Sequence, residues 1–214
     1  MPAPTPIDRA TDALLVIDVQ NDFCPGGALA VPGGDAVVPL ANALMSRFDA
    51  VVLTQDWHPR GHESFASTHS GMQPFQTLPL PYGEQTLWPE HCVQGGHGAA
   101  FHAGLDTQPA RLIVRKGYRR TIDSYSAFFE NDRRTPTGLT GWLREHGIRR
   151  VVLCGLATDF CVAYSALDAR RQGFETLVAL DACRAIDLGG SLDTALAQMR
   201  EAGVALTTSH ALGG

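Results

Sequence analysis

Four residues able to do proton-transfer or nucleophilic chemistry stand just beyond short apolar runs. Asp18 follows ALLVI, Asp56 follows AVVLTQ, Lys116 follows RLIVR, and Cys161 follows VVLCGLATDF. A thiolate can attack a carbonyl carbon. An aspartate can take the thiol proton and later give it to a leaving amine. A lysine cation favours thiolate over thiol by Coulomb attraction, and it can hold the aspartate in place. Cys161 also falls where a helix would begin, after Gly155 and the capping types Thr158 and Asp159. Free N–H groups and the positive end of the helix dipole would lower its pKa and could hold an oxyanion. Taken singly, each residue has a bland reading: cysteines are often small buried hydrophobes and Lys–Asp contacts are mostly structural. Four of them at four strand ends carry the argument for a site.

A second group is Asp56-Trp57-His58. An i, i+2 pair in extended chain puts both side chains on one side. A carboxylate oxygen and an imidazole nitrogen together suit Zn²⁺, Fe²⁺ or Mn²⁺. The third ligand would come from His62, His69, His91, His97 or His102, and Ser64 could add a weak oxygen, directly or through water. Phe23, Trp57 and Trp88 lie close by in sequence and could either wall a flat ring or pack in the core.

Positioning these groups requires a regular frame. Ala13–Asp18, Ala50–Thr54, Arg111–Arg115, Val151–Cys154, Glu175–Leu180 and Val204–Thr208 read as strands. Helical spacing is expected from Asp35 to about Phe48, over Thr137–His146, from Thr158 to near Gly173, and over Ser191–Ala202. Continuous apolar strands alternating with helices predict an α/β fold: a doubly wound, mostly parallel sheet with helices on both faces. Ligands then bind beyond the carboxyl ends of the strands. Residues 59–102 show no sustained period of 2 or 3.6, and so long an irregular stretch points to a functional segment.

The chain has 214 residues, with 17 Lys plus Arg against 22 Asp plus Glu, a net charge of −5. One domain over 1–214 is expected, with no nucleic-acid partner. No apolar run is long enough to span a membrane and the first residues lack the apolar core of a signal peptide, so a cytoplasmic protein is expected. Cys24, Cys92, Cys154, Cys161 and Cys183 are odd in number and irregular in spacing, and read as reduced thiols.

Several stretches together resemble the nicotinamidase branch of the isochorismatase-like cysteine hydrolases. They are LLVIDVQNDFCPGGALAV, VVLTQDWHPRGHESFAS, LWPEHCVQG, RKG followed by DSYSAF, and GLATDFCV followed by DA. The resemblance implies a six-stranded parallel sheet, with Cys161 as nucleophile, Asp18 as proton-transferring acid and Lys116 as third catalytic residue. It implies a divalent metal, Zn²⁺ first, on Asp56, His58 and His91, with Ser64 a weaker or water-mediated ligand. Phe23 and Trp88 would flank a pyridine ring. A cis bond at Leu156–Ala157 would turn N–H groups of Ala157 and Cys161 toward the oxyanion. The implied reaction is nicotinamide hydrolysis in NAD salvage, with pyrazinamide also accepted and a homo-oligomer possible. The alternatives are a metal-free relative acting on another small amide or an enol ether, and a non-catalytic flavodoxin-like module. KGYRRTID after Lys116 is more cationic than the family pattern, and residues 68–85 match it loosely.

Overall fold

In the computed structural model, which describes residues 5–213, six strands form one parallel sheet. They are β2 (Asp12–Ile17), β3 (Ala50–Asp56), β6 (Leu112–Lys116), β7 (Arg150–Leu156), β8 (Glu175–Arg184) and β9 (Ala205–Thr207), in the order β6-β3-β2-β7-β8-β9. Every residue of β2 and β3 is buried, as expected when a sheet is covered on both faces. The covering helices are α1 (Val38–Met45), α2 (Leu139–Glu145), α3 (Ala163–Arg171) and α4 (Ser191–Glu201). Two short strands, β1 (Thr5–Pro6) and β10 (Leu212–Gly213), pair beside the sheet. No helix among the described residues is long and apolar enough to cross a membrane.

The chain enters at β2, moves outward through β3 to β6, then crosses back to β7 on the other side of β2. The winding therefore reverses between β2 and β7, where open sheets leave a crevice beyond their strand ends. Asp56 and Lys116 end β3 and β6, and Asp18 and Cys161 follow β2 and β7, so all four stand at the carboxyl ends of four neighbouring strands. Register sharpens this: Asp56 and Lys116 are direct partners across β3 and β6.

Three expectations are corrected. Asp35 does not cap α1. It lies inside a 3₁₀ turn, Gly34–Val37, and the α-helix starts at Val38 with Pro39 in its first turn. Thr158 and Asp159 do not cap α3, because Thr158–Val162 is a π-helical turn with Val162 N–H reaching back to Ala157 O. Asp159 instead accepts from Ile186 N, Asp187 N and Ser191 Oγ, and so ties the β8–α4 loop under the site. The irregular stretch also contains a small antiparallel hairpin, β4 (Thr77–Leu80) with β5 (Gly83–Thr86), which is too short and too exposed to show a period.

Gly155 is the one position in β7 where only glycine serves. Its φ is +116°, and a Cβ there would strike the Ile17 backbone carbonyl. Gly155→Ala is expected to destabilise the protein by about 2 kcal/mol or more, read by chemical denaturation. An unchanged unfolding midpoint would show that β2 and β7 can separate at no cost.

Candidate active site

Lys116 is the centre of the site. Its side chain is buried at the end of β6. Nζ lies 2.8 Å from Asp18 Oδ2 and 3.0 Å from Asp56 Oδ1, and it donates to Ser124 O at 2.9 Å and to Cys161 Sγ at 3.4 Å. Burial works against its charge, yet the Asp18 and Asp56 carboxylates outweigh burial and hold the ammonium well above the usual lysine range. Thr54 completes the Asp18 side: its hydroxyl donates to Asp18 Oδ1 at 2.6 Å and accepts from Asp18 N at 3.1 Å. Asp18 itself has φ +47°, so the chain turns sharply off the end of β2.

The expectation of a lowered Cys161 pKa is reversed. Burial pushes the thiol well up; Lys116 pulls it down, but Asp18 and Asp56 push it up again. One ammonium does not outweigh desolvation and two carboxylates, and the thiol form is favoured over the thiolate. Burial also raises Asp18, against the pull of Lys116. A carboxylate with raised proton affinity beside a thiol can accept its proton once a substrate carbonyl is in place.

Asp56 serves a second cluster with its other oxygen. Oδ2 lies 3.0 Å from His58 Nε2 and 3.3 Å from His91 Nε2, all three residues being buried. Burial opposes the Asp56 charge, but His58 and Lys116 hold it well below the usual carboxylate range. The imidazoles are oriented from behind: His58 Nδ1 donates to Gly117 O and His91 Nδ1 to Pro89 O, each at 2.9 Å. A carbonyl can only accept, so each Nδ1 carries its proton there, and Nε2 is the ring atom turned toward Asp56. One carboxylate oxygen and two imidazole nitrogens, preset and convergent, fit a borderline divalent cation such as Zn²⁺.

The other sequence candidates fall elsewhere. His62 Nδ1 meets Ser64 Oγ at 2.7 Å, which engages the Ser64 hydroxyl, and His62 forms a second potential ligand group with His58 and Asp123. His69 bonds Glu63 O, His97 is exposed, and His102 Nδ1 accepts from Gly104 N. Trp57 lies under Arg115, 4.0 Å from the guanidinium carbon, and is not part of the pocket wall.

Both clusters open on one tight pocket of about 20 Å³. Cys161, Ala157, Asp56 and His91 line it, together with the aromatic side chains of Phe23, Trp88 and Phe160. Trp88 meets Phe160 edge to face at 4.9 Å, and its Nε1 donates to Tyr125 Oη at 3.0 Å. The Leu156–Ala157 bond is cis.

Several supporting residues escaped the sequence reading, though the DVQNDF stretch contained the signal for two of them. Gln20 clamps the Asp56 backbone: Oε1 accepts from Asp56 N at 2.7 Å, and Nε2 donates to Asp56 O and Ala99 O, both at 2.8 Å. Asp22 Oδ2 accepts from Cys92 N at 2.7 Å and so fixes the residue after His91. Gly98 faces that same carboxylate closely enough that a Cβ would collide with it. Asp123, Tyr125 and Phe160 also line the pocket without having been singled out.

A parallel sheet that presents a thiol, a lysine and an aspartate at its switch point, beside a buried Asp-His-His cluster, defines an α/β cysteine hydrolase. The isochorismatase domain family matches residues 12–211, and the chain belongs to that family. It is 56% identical over 198 residues to the nicotinamidase of Acinetobacter baylyi, covering 92% of each chain. The solved nicotinamidase/pyrazinamidase of Acinetobacter baumanii superposes with a TM-score of 0.94 at 56% identity, covering 95% of this chain and 98% of that one. PnC1 from L. infantum in complex with nicotinate superposes at 0.85, with 43% identity and 98% of each chain covered.

Proposed function

We propose that this chain is a nicotinamidase, an amidohydrolase converting nicotinamide and water to nicotinate and ammonia, and that it also accepts pyrazinamide. The observation that carries the reading is that one aromatic pocket is lined both by Cys161 and by Asp56 and His91. A flat ring bearing a carboxamide and a basic nitrogen has one group for the thiol and one for the Asp-His-His cluster. The relatives named above support the substrate class. Such an activity belongs to NAD salvage in the cytoplasm, with residues 1–214 acting as one unit.

In the proposed mechanism the pyridine ring lies between Phe23 and Trp88. Asp56, His58 and His91 hold a divalent cation, Zn²⁺ in preference to Fe²⁺ or Mn²⁺, and Ser64 stands as an outlying oxygen. When bound, that ion supplies a Lewis acid for the ring nitrogen and so fixes the ring's orientation. Asp18 takes the thiol proton and Cys161 attacks the carboxamide carbon. The backbone N–H groups of Ala157 and Cys161 hold the developing oxyanion. Asp18 returns the proton to the departing nitrogen, ammonia leaves, and water hydrolyses the thioester. Lys116 keeps Asp18 oriented and offsets the charge of the thiolate as it forms.

Ammonia release from nicotinamide, assayed with and without chelator alongside metal analysis of the same sample, tests the reading. Activity that falls on chelation and returns with Zn²⁺ is expected; full activity in metal-free protein would overturn the metal assignment. Asp56→Ala, His58→Ala and His91→Ala should each lose bound metal, whereas His69→Ala and His97→Ala should keep it. A protein that loses metal with His97→Ala and retains it with His91→Ala has a different third ligand.

A further inference from the structure

The hairpin β4–β5 is exposed or half-buried at every position but one. The exception is Gln85, a polar side chain that is 1% exposed. A buried amide costs free energy unless each of its polar atoms is matched, so its contacts show what it holds. We infer that Gln85 is a positioning residue for the reaction proposed above, setting the aromatic wall of the catalytic pocket through the Tyr125 hydroxyl. The inference rests on that reading of the function.

The first observation is the completeness of the match. Gln85 Nε2 donates to Thr86 O at 2.7 Å, to Asp123 Oδ2 at 2.7 Å and to Tyr125 Oη at 2.9 Å. Its Oε1 accepts from Tyr82 Oη at 3.1 Å and from Asn131 Nδ2 at 3.3 Å. A carbonyl and a carboxylate can only accept, and both meet the same end of the amide. That end must be the nitrogen, and the amide cannot be turned over. Its two N–H bonds then serve three acceptors, and the phenol oxygen shares one of them.

The second observation is where the contacts lead. Asp123 and Tyr125 both line the pocket that contains Cys161, and Gln85 stands behind them. Tyr125 Oη also accepts from Trp88 Nε1 at 3.0 Å, and an indole N–H can only donate. The phenol oxygen is therefore held between two nitrogens, one on Gln85 and one on Trp88. Trp88 is the wall proposed to flank the pyridine ring. Phe75, Phe160 and the Tyr125 ring meet it edge to face at 6.1, 4.9 and 6.2 Å. Edge-to-face contacts tolerate a range of tilts, whereas an N–H···O bond is directional, so the bond to Tyr125 sets how the indole stands.

The third observation is separation from the reacting groups. The hydrogen-bond partners of Gln85 do not include Asp18, Lys116 or Cys161. Loss of the amide should therefore weaken substrate binding and spare the chemical step.

Steady-state ammonia release from nicotinamide, measured beside the indole N–H resonances of isotope-labelled protein, tests the role. Gln85→Met keeps the length of the side chain and removes its hydrogen bonds; KM should rise about tenfold with kcat within about twofold of the wild type. Gln85→Asn, one methylene shorter, should draw the amide away from Tyr125 and give the same split, which keeps the test decisive if Gln85→Met fails to fold. Tyr125→Phe removes the shared oxygen and should raise KM as far. Adding either glutamine variant to it should raise KM little further, because both act on one chain of bonds. The protein has three tryptophans, and Trp88→Phe identifies the resonance that belongs to Trp88. In the glutamine variants that resonance should move and exchange faster with deuterium, while those of Trp57 and Trp142 stay. Tyr82→Phe removes a bond to Oε1, off the path to Trp88, and should change neither KM nor the Trp88 resonance. Four results would each overturn the role: an unchanged KM in the glutamine variants, an unmoved Trp88 resonance in them, a full second rise of KM in the double variant, or an equal rise with Tyr82→Phe. A wild type that releases no ammonia from nicotinamide would sink the reading of function alone, and the Trp88 resonance would then decide the role of Gln85.

Discussion

Cys161→Ala is expected to bring nicotinamide hydrolysis below about a hundredth of the wild-type kcat while the protein stays folded. The expectation rests on position. Cys161 is the one cysteine among the described residues that is hydrogen-bonded to a cationic side chain, and it lies toward Asp18 in the same pocket as the Asp56–His91 pair. The other thiols lack such company. Cys24 is pushed up to about 11 by burial and by Asp35, Cys183 is pushed up to about 12 by burial, and Cys92 and Cys154 are held well above the usual thiol range, chiefly by burial. Changed singly, those four should spare turnover. Ammonia release measured beside a thermal unfolding curve separates loss of chemistry from loss of fold. Retention of more than that hundredth would end the case for covalent catalysis through Cys161.

The second large effect concerns proton transfer, and here the geometry supplies signs. Asp18→Asn preserves shape and removes the base, so kcat should fall by roughly 10²-fold or more. Lys116→Ala should fall at least as far, and it should also cost about 3–5 kcal/mol of stability because it leaves the Asp18 and Asp56 carboxylates buried without their cation. The two variants should move the thiol in opposite directions. Lys116 pulls the Cys161 pKa down, so its loss should raise the pH at which iodoacetamide alkylates the sulfur. Asp18 pushes that pKa up, so removing its charge should lower the same midpoint. Alkylation rate against pH in the wild type and both variants measures this. Identical midpoints in all three would mean that neither residue tunes the thiol and that only the backbone N–H groups of the turn at Thr158–Val162 do.

The frame of this site was legible because its cause is local. The β2 and β3 strands are buried throughout and mostly apolar, since both faces are covered, and a charged residue stands where each run ends, Asp18 after β2 and Asp56 at the end of β3. That is why Asp18, Asp56 and Lys116 could be placed at strand ends before any contact was known. Convergence of Asp56 and His58 was likewise readable from their spacing. The choice of His91 was not, because five histidines of similar spacing competed and a loop's path depends on distant anchors. Those anchors are Gln20 and Asp22, some seventy residues upstream, whose side chains hold Ala99 O and Cys92 N. The thiol's resting state was also hidden. Sequence shows a lysine and a helix start, but the net effect depends on how completely the pocket excludes water and on a second carboxylate, Asp56, whose distance from the sulfur no spacing rule gives. The capping role of Asp159 failed for a related reason, since its side chain had a tertiary alternative to the local turn; that of Asp35 failed because the helix begins only at Val38.

Asp56 divides its two oxygens, one to Lys116 and one to the imidazole pair. That division makes thiol ionisation and cation binding thermodynamically reciprocal. A divalent ion held by Asp56, His58 and His91 would offset the negative charge that Asp56 presses on the sulfur, and Cys161 would then give up its proton more readily. By linkage, the thiolate form must then bind the ion more tightly, by the same factor. Oxidants attack thiolates and not thiols, so metal starvation would leave the cysteine protonated and shielded from sulfenic acid formation.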